Sequence, residues 1–190
     1  MNLVVDCGNT LVKMAVFQNN RILEKQIFSR ENFFENFKKI QEKYPKIKKS
    51  ILSSVTSSNF ELETELKKSY SFLNFEQNLK LPFKNEYATP ETLGKDRIAL
   101  VAAAVNKYPG KNVLVIDAGT CITYDFKTTD EVYIGGAISP GLEMRFQSLH
   151  KFTANLPLIK PKPDAELIGN STESSILSGI INGIEMELKG

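Results

Sequence analysis

The chain has 190 residues, 42% of them hydrophobic and 24% charged, a composition that calls for a buried core in one large or two small domains and excludes disorder. A net charge of +2, from 24 Lys and Arg against 22 Asp and Glu, argues neither for nor against an acidic partner. The longest apolar runs, such as ALVAAAV at 99–105, fall far short of the roughly 18–20 residues that span a bilayer, and MNLVVD lacks the pattern of a secretory leader, so no membrane partner is expected and the expected compartment is the cytoplasm.

From the N-terminus, NLVVD (2–6), LVKMAVF (11–17) and RILEKQIF (21–28) read as three strands, with GNT and QNN as turn residues between them. Ser29 is placed to cap a helix in RENFFENFKKIQEKY, where Phe33, Phe34, Phe37 and Ile40 recur at helical spacing before Pro45. The lysines of 38–49 come without the arginines and stacking aromatics of a nucleic-acid face, so they read as solvated surface and argue against a nucleic-acid partner. KSILSSV (49–55) reads as a strand, NFELETELKKSY (59–70) as a short helix and PFKNEYATPETLG (82–94) as a loop. KDRIALVAAAVNKY (95–108) is an Ala-rich helix that stops before Pro109-Gly110.

Then the opening order returns. KNVLVID (111–117), CITYDF (121–126) and EVYIGGAI (131–138) repeat strand, tight turn, strand, strand, and PGLEMRFQSLHKF (140–152) supplies the following helix with Pro140 near its start. VVDCGNT at 4–10 is matched by VIDAGTC at 115–121. The pattern is α/β, and the repeat implies two related halves facing a cleft, residues 1–110 and 111–190, with the boundary near Pro109-Gly110. Cys7 and Cys121 lie inside the repeated motif without CxxC spacing, so they read as small residues packed at a crowded turn rather than a zinc site, a disulfide or a catalytic thiol. His150 has no ligand pattern beside it and reads as structural or surface.

The repeated aspartates carry chemistry. A turn of Gly8, Asn9 and Thr10 exposes backbone N–H groups to which a phosphate can come close. Asp6 and Asp117, each at the end of an apolar strand, are placed where a hard cation such as Mg²⁺ bridges carboxylate and phosphate oxygens. Lys13 offers a point charge to a phosphate, and Thr10 and Thr120 offer hydroxyl donors. Asp96 and Arg97, taken alone, fit either a helix N-terminal acid beside a surface arginine or a proton acceptor beside a carboxylate fork. Gly135, Gly136 and Gly141 fit either a shaped strand end and helix start or direct ligand contact.

In order, DCGNTLVK (6–13), GKDR (94–97), DAGTCITYD (117–125) and GGAISPGL (135–142) resemble the type III pantothenate kinases of the actin and sugar-kinase superfamily, and the resemblance runs over nearly the whole chain. It implies two ribonuclease-H-like, actin-like ATPase halves, phosphoryl transfer from ATP to pantothenate, a divalent cation such as Mg²⁺ with a monovalent one (K⁺ or NH₄⁺), and a homodimer. Carried over by position, it makes Asp6, Cys7, Gly8, Asn9, Thr10, Leu11, Val12 and Lys13 the ATP phosphate segment, with Thr120 a further ATP contact. Asp96 becomes the catalytic base, Tyr87, Gly94, Lys95, Asp96, Arg97 and Thr172 the substrate contacts, and Asp117 the monovalent-cation ligand. Family members run longer, so the second half is expected to be incomplete. The apolar stripe Ile176, Leu177, Ile180, Ile181 and Ile184 is then expected to need cover from the first domain, a second subunit or further residues. The other reading of the same residues is a non-catalytic nucleotide-binding or regulatory dimer of this fold.

Overall fold

Alternation of apolar and polar side chains sets the first sheet. In β1 (Asn2–Cys7) it buries Leu3, Val5 and Cys7, and in β2 (Leu11–Gln18) Val12, Met14 and Val16, because successive side chains of a strand point to opposite faces. The structure is a computed structural model that describes residues 1–8, 11–54, 60–75 and 79–190. Asn9, Thr10, Val55 and Asn59 lie outside the described residues. By contact density the chain divides into Met1–Lys80 and Leu81–Gly190, a division ahead of the Ala-rich helix, whereas the sequence repeat divides after it.

In the first unit, β2 turns into β3 (Arg21–Ser29) through Asn19, at φ 53, a left-handed conformation that asparagine tolerates. The meander continues into β4 (Lys49–Ser54) and β5 (Ser71–Asn74), both parallel in the chain of neighbours β3-β2-β1-β4-β5. Parallel neighbours need crossovers, and α1 (Phe33–Lys43) and α2 (Phe60–Ser69) provide them. Phe33, Phe37 and Ile40 share one face of α1 and pack with Leu62 and Leu66 on the buried strand residues. The expected helix after Ser29 begins instead as a 3-10 turn, Arg30–Asn32, and Ser29 makes no side-chain cap. Lys39 pairs with Glu35 at 2.5 Å and Lys43 with Glu24 at 2.7 Å, with the lysines exposed, as a solvated helix face requires.

The second unit holds β6 (Lys84–Asn85), α3 (Lys95–Lys107), β7 (Val113–Ala118), β8 (Cys121–Lys127), β9 (Val132–Pro140), α4 (Leu142–Lys151) and α5 (Thr172–Lys189). The strands run β6-β9-β8-β7, antiparallel except for β6, which lies parallel to β9. α3 packs on β7 and β8, burying Ile98, Val101 and Val105. Among the described residues β7 has one strand neighbour, β8, and its Leu114 and Ile116 are exposed. The α5 stripe finds its cover inside this unit: Ile176, Leu177 and Ile180 are buried with Phe146 and Ile159, and Ile181 and Ile184 pack against them. A partner is therefore not needed to cover it. At its start α5 is fixed by a capping box of Ser171 and Ser174. Near its end, Glu187 accepts from Tyr124 at 2.7 Å and also from Ser139 and Arg145. Those donors, Ser139 foremost, hold the Glu187 carboxyl down at about 2.

Candidate active site

The start of α3 sets two side chains to opposite purposes. Gly94 is the residue before the helix, and Asp96 and Arg97 occupy its first turn. Adjacent helical residues point about 100° apart, so Asp96 is exposed while Arg97 is buried. A Cβ on Gly94 would lie 2.4 Å from Asp96 Oδ1, so the glycine leaves the space that the carboxylate occupies. The unpaired N–H groups of a helix start favour a negative charge there. Asp96 thus meets solvent as an accessible carboxylate.

Arg97 enters a buried polar group that the sequence reading did not single out. Its Nε donates to Asp125 Oδ1 at 2.8 Å, and its Nη2 lies 2.7 Å from the same oxygen as a charge contact. The Tyr133 hydroxyl donates to that oxygen too, at 2.7 Å. Asp125 is 0% exposed and Arg97 5%. Burial alone pushes the guanidinium toward losing its proton, and the hydrogen bond and charge of Asp125 outweigh it, leaving its pKa above the ordinary value. Burial first, and Asp125 second, push the Tyr133 phenol well up. Asp125 Oδ2, Arg97 Nη2 and Thr123 Oγ1 are buried without a hydrogen-bond partner. The signal for this group was legible: in β8, Thr123, Asp125 and Lys127 alternate on one face, where a strand under a helix ordinarily carries apolar residues.

Tyr87 completes the group. Its ring stacks on Tyr133 at 6.0 Å and lies 5.5 Å from the Arg97 guanidinium carbon. β6 carries it there, and its N–H donates to Asn85 Oδ1 at 3.0 Å. Opposite, Gly135 adopts φ 118, at an irregularity in the β8–β9 register, and a Cβ there would meet the Tyr87 ring at 3.6 Å. Such bulges re-aim neighbouring side chains, here Tyr133 toward Asp125.

The two aspartate turns differ. In the first unit Asp6 lies opposite Lys13 across β1 and β2, at 3.5 Å and with both side chains about half exposed. An open pair of this kind stabilises little, about 0–1 kcal/mol, so it yields readily to a phosphate or cation. Cys7 and Val12 point into the core and Leu11 outward, and the Gly8 N–H bonds back to Leu11 O at 3.0 Å. In the second unit the hairpin register is tighter, and Asp117 lies opposite Thr123, not a lysine. Asp117 and Thr120 are exposed. Gly119 and Thr120 rest directly on Gly141, whose N–H donates to Thr120 O at 3.0 Å. No group of three or more His, Cys, Asp or Glu that could cage a metal occurs among the described residues.

Thr172 is exposed at the start of α5. It lines a groove of about 1030 Å³ with Arg145, Leu149 and Ile176, apart from the residues around Arg97. His150 bonds the Leu156 carbonyl through Nδ1 at 2.8 Å, a surface role, and the thiol of Cys121 lies 3.9 Å from Met144 Sδ.

A family model described as type III pantothenate kinase matches residues 2–190. A type III pantothenate kinase from Christiangramia forsetii is 76% identical over 190 residues, covering 100% of this chain and 78% of the relative. One from Flavobacterium johnsoniae is 43% identical over 199 residues, with the same coverage of 100% and 78%. Among solved structures, one described as a Baf family transcriptional activator from Campylobacter jejuni aligns with a TM-score of 0.60 at 23% identity, over 98% of this chain and 77% of that one, a likeness of fold.

Proposed function

The chain belongs to the type III pantothenate kinase family, and from that premise we propose how its own residues carry the reaction. It is an ATP-dependent kinase that converts pantothenate to 4′-phosphopantothenate, the first step of coenzyme A biosynthesis. The primary hydroxyl of pantothenate attacks the γ-phosphorus, the bond to the β,γ-bridging oxygen breaks, and ADP leaves. Asp96 accepts the hydroxyl proton. Because the transition state is loose, positioning and charge neutralisation carry most of the acceleration, and one accessible carboxylate suffices as base.

On the nucleotide side, the segment from Asp6 to Lys13 and Thr120 hold the ATP phosphates. The divalent cation supplies charge neutralisation on those phosphates. The residues present fit it: Mg²⁺ is held by one or two carboxylates plus substrate phosphates rather than by an all-protein cage, and Asp6 is a half-exposed carboxylate that joins no metal-caging group among the described residues. Asp117 suits a monovalent cation such as K⁺ or NH₄⁺, because its cross-strand neighbour is the Thr123 hydroxyl and not a competing ammonium. On the acceptor side, Tyr87, Gly94, Lys95, Arg97 and Thr172 contact pantothenate. The repeated meander supports two ribonuclease-H-like halves, residues 1–110 and 111–190, of the actin-like ATPase kind, with the protein acting in the cytoplasm as a homodimer. Exposed Phe152, Leu167 and Ile168, at 80, 74 and 81%, support the self-association.

The observation that carries this reading is the family match over residues 2–190. The test is ADP release in an enzyme-linked assay with pantothenate present and absent. Release that requires pantothenate bears the reading out; pantothenate-independent release or none refutes it.

A further inference from the structure

We propose that Asp125 is a positioning residue for the acceptor substrate, acting through Arg97. The proposal rests on the reading of Arg97 as a pantothenate contact. Asp125 sits in the interior of β8 and is 0% exposed, where a carboxylate is costly unless it is paired. Its pairing is one-sided. Arg97 Nε, Arg97 Nη2 and the Tyr133 hydroxyl all converge on Oδ1, and Oδ2 has no hydrogen-bond partner.

A fork-to-fork arginine–carboxylate pair would use both oxygens and two parallel N–H groups on one edge of the guanidinium. Here the guanidinium is anchored through Nε, while the buried Nη2, 2.7 Å from the same Oδ1, adds a charge contact without a well-formed hydrogen bond. Arg97 is therefore held in one orientation beside Asp96 in the first turn of α3.

The same anchor reaches the neighbouring groups. Arg97 follows Asp96 in the first turn of α3, so fixing the buried side chain fixes the turn that presents the base. The Arg97 guanidinium lies against the Tyr87 ring, and the ring of Tyr133, whose hydroxyl shares Asp125 Oδ1, stacks on it. Asp125 thus touches Arg97 directly and reaches Tyr87 through Arg97 and Tyr133. Its loss should be felt by one substrate and not the other.

The experiment is steady-state kinetics for both substrates, with pantothenate binding by calorimetry, on Asp125→Asn, Arg97→Gln and the double variant. Asparagine keeps the shape and one acceptor oxygen but loses the charge. The pantothenate KM and Kd should rise roughly 10–100-fold, the loss expected for a hydrogen bond to a charged group, while the ATP KM stays within about twofold. Added to Arg97→Gln, the Asp125→Asn change should cost less than about twofold more, because Arg97 is the main group through which it acts. An equal, independent loss in that background overturns the proposal, as does a parallel rise in the ATP KM. If Arg97→Gln itself leaves pantothenate binding unchanged, the substrate-contact reading fails and the proposal with it; if Arg97→Gln is damaging and Asp125→Asn inert, the proposal fails alone. Should Asp125→Asn not fold, Tyr133→Phe removes one donor to the same oxygen and keeps the ion pair. A raised pantothenate KM at an unchanged melting temperature then supports the proposal, and an unchanged KM refutes it.

Discussion

Replacing Gly141 by alanine is expected to impair the use of ATP and its cations in a chain that still folds. The new Cβ would stand 2.3 Å from the Gly119 carbonyl oxygen and 2.4 Å from that of Thr120, where ordinary contact begins at 3.4 Å. Both obstacles are backbone, so no rotamer change relieves them, and the β7–β8 turn has to retreat by about 1 Å. A displacement of about that size at a positioned group costs on the order of 10²-fold in rate. Overpacking of this kind destabilises by about 1–3 kcal/mol, which lowers the melting temperature by roughly 2–12 °C in a chain of this length. The assay is kcat/KM for ATP at saturating pantothenate, with Mg²⁺ and K⁺ titrations and thermal melts by circular dichroism. Gly183→Ala is the control, since a Cβ there meets nothing within 4 Å and a helical glycine gains up to about 1 kcal/mol from alanine. A Gly141→Ala variant with kcat/KM for ATP within about twofold of the parent would refute the reasoning.

Asp96→Asn should lower turnover by about 10²–10⁴-fold with pantothenate binding and melting temperature kept, and calorimetry beside the kinase assay separates the two; near-normal turnover would remove Asp96 from the base role. Asp6→Ala and Asp117→Ala should both impair ATP use, the first shifting the Mg²⁺ dependence and the second the K⁺ dependence, and activity indifferent to either ion in the parent would defeat that division. The carboxyls of Glu24, held by Lys43, Tyr44 and Gln26, and of Glu187, held by Ser139, Arg145 and Tyr124, are both drawn down to about 2 from 4.5. Being lower in the folded chain, they contribute stability that is complete above pH 4.5 and is lost as the pH falls toward 2. Melts between these limits should therefore converge for the parent and Glu187→Gln, and a constant gap would contradict the assignment.

Strand alternation and turn residues made the two meanders legible, since three adjacent antiparallel strands need only local signals. β5 and β6 were not legible, because four and two residues are too short to show a period and are held by parallel partners distant in sequence. Arg97 was legible as a site residue but its direction was not: in sequence it looks like a surface arginine with its fork free, and only the packing of α3 on β8 turns it inward to Asp125. Asp125 itself was quoted within a motif without a role. Its meaning depends on Arg97 and Tyr133, which β8 meets only in three dimensions. The α5 stripe read as lacking cover because Ile159, in the irregular stretch between α4 and α5, carries no periodic signal that would mark it as part of a core.

The side of β7 turned away from β8 has a bearing on handling the protein in concentrated solution. An edge strand presents a row of backbone N–H and C=O groups able to accept another chain, and natural edges are usually blunted by inward charges, proline or bulges. The outer edge of the first sheet has such gatekeepers, since β3 interleaves Arg21, Glu24 and Lys25 with its apolar residues. β7 does not: Leu114 and Ile116, 54 and 41% exposed, stand mid-strand, and its charged Asp117 comes only near the end. Precipitation by strand addition would start there, and a single lysine at position 114 is the substitution best placed to keep the protein dispersed without touching the residues around Asp96 or the Gly119–Thr120 turn.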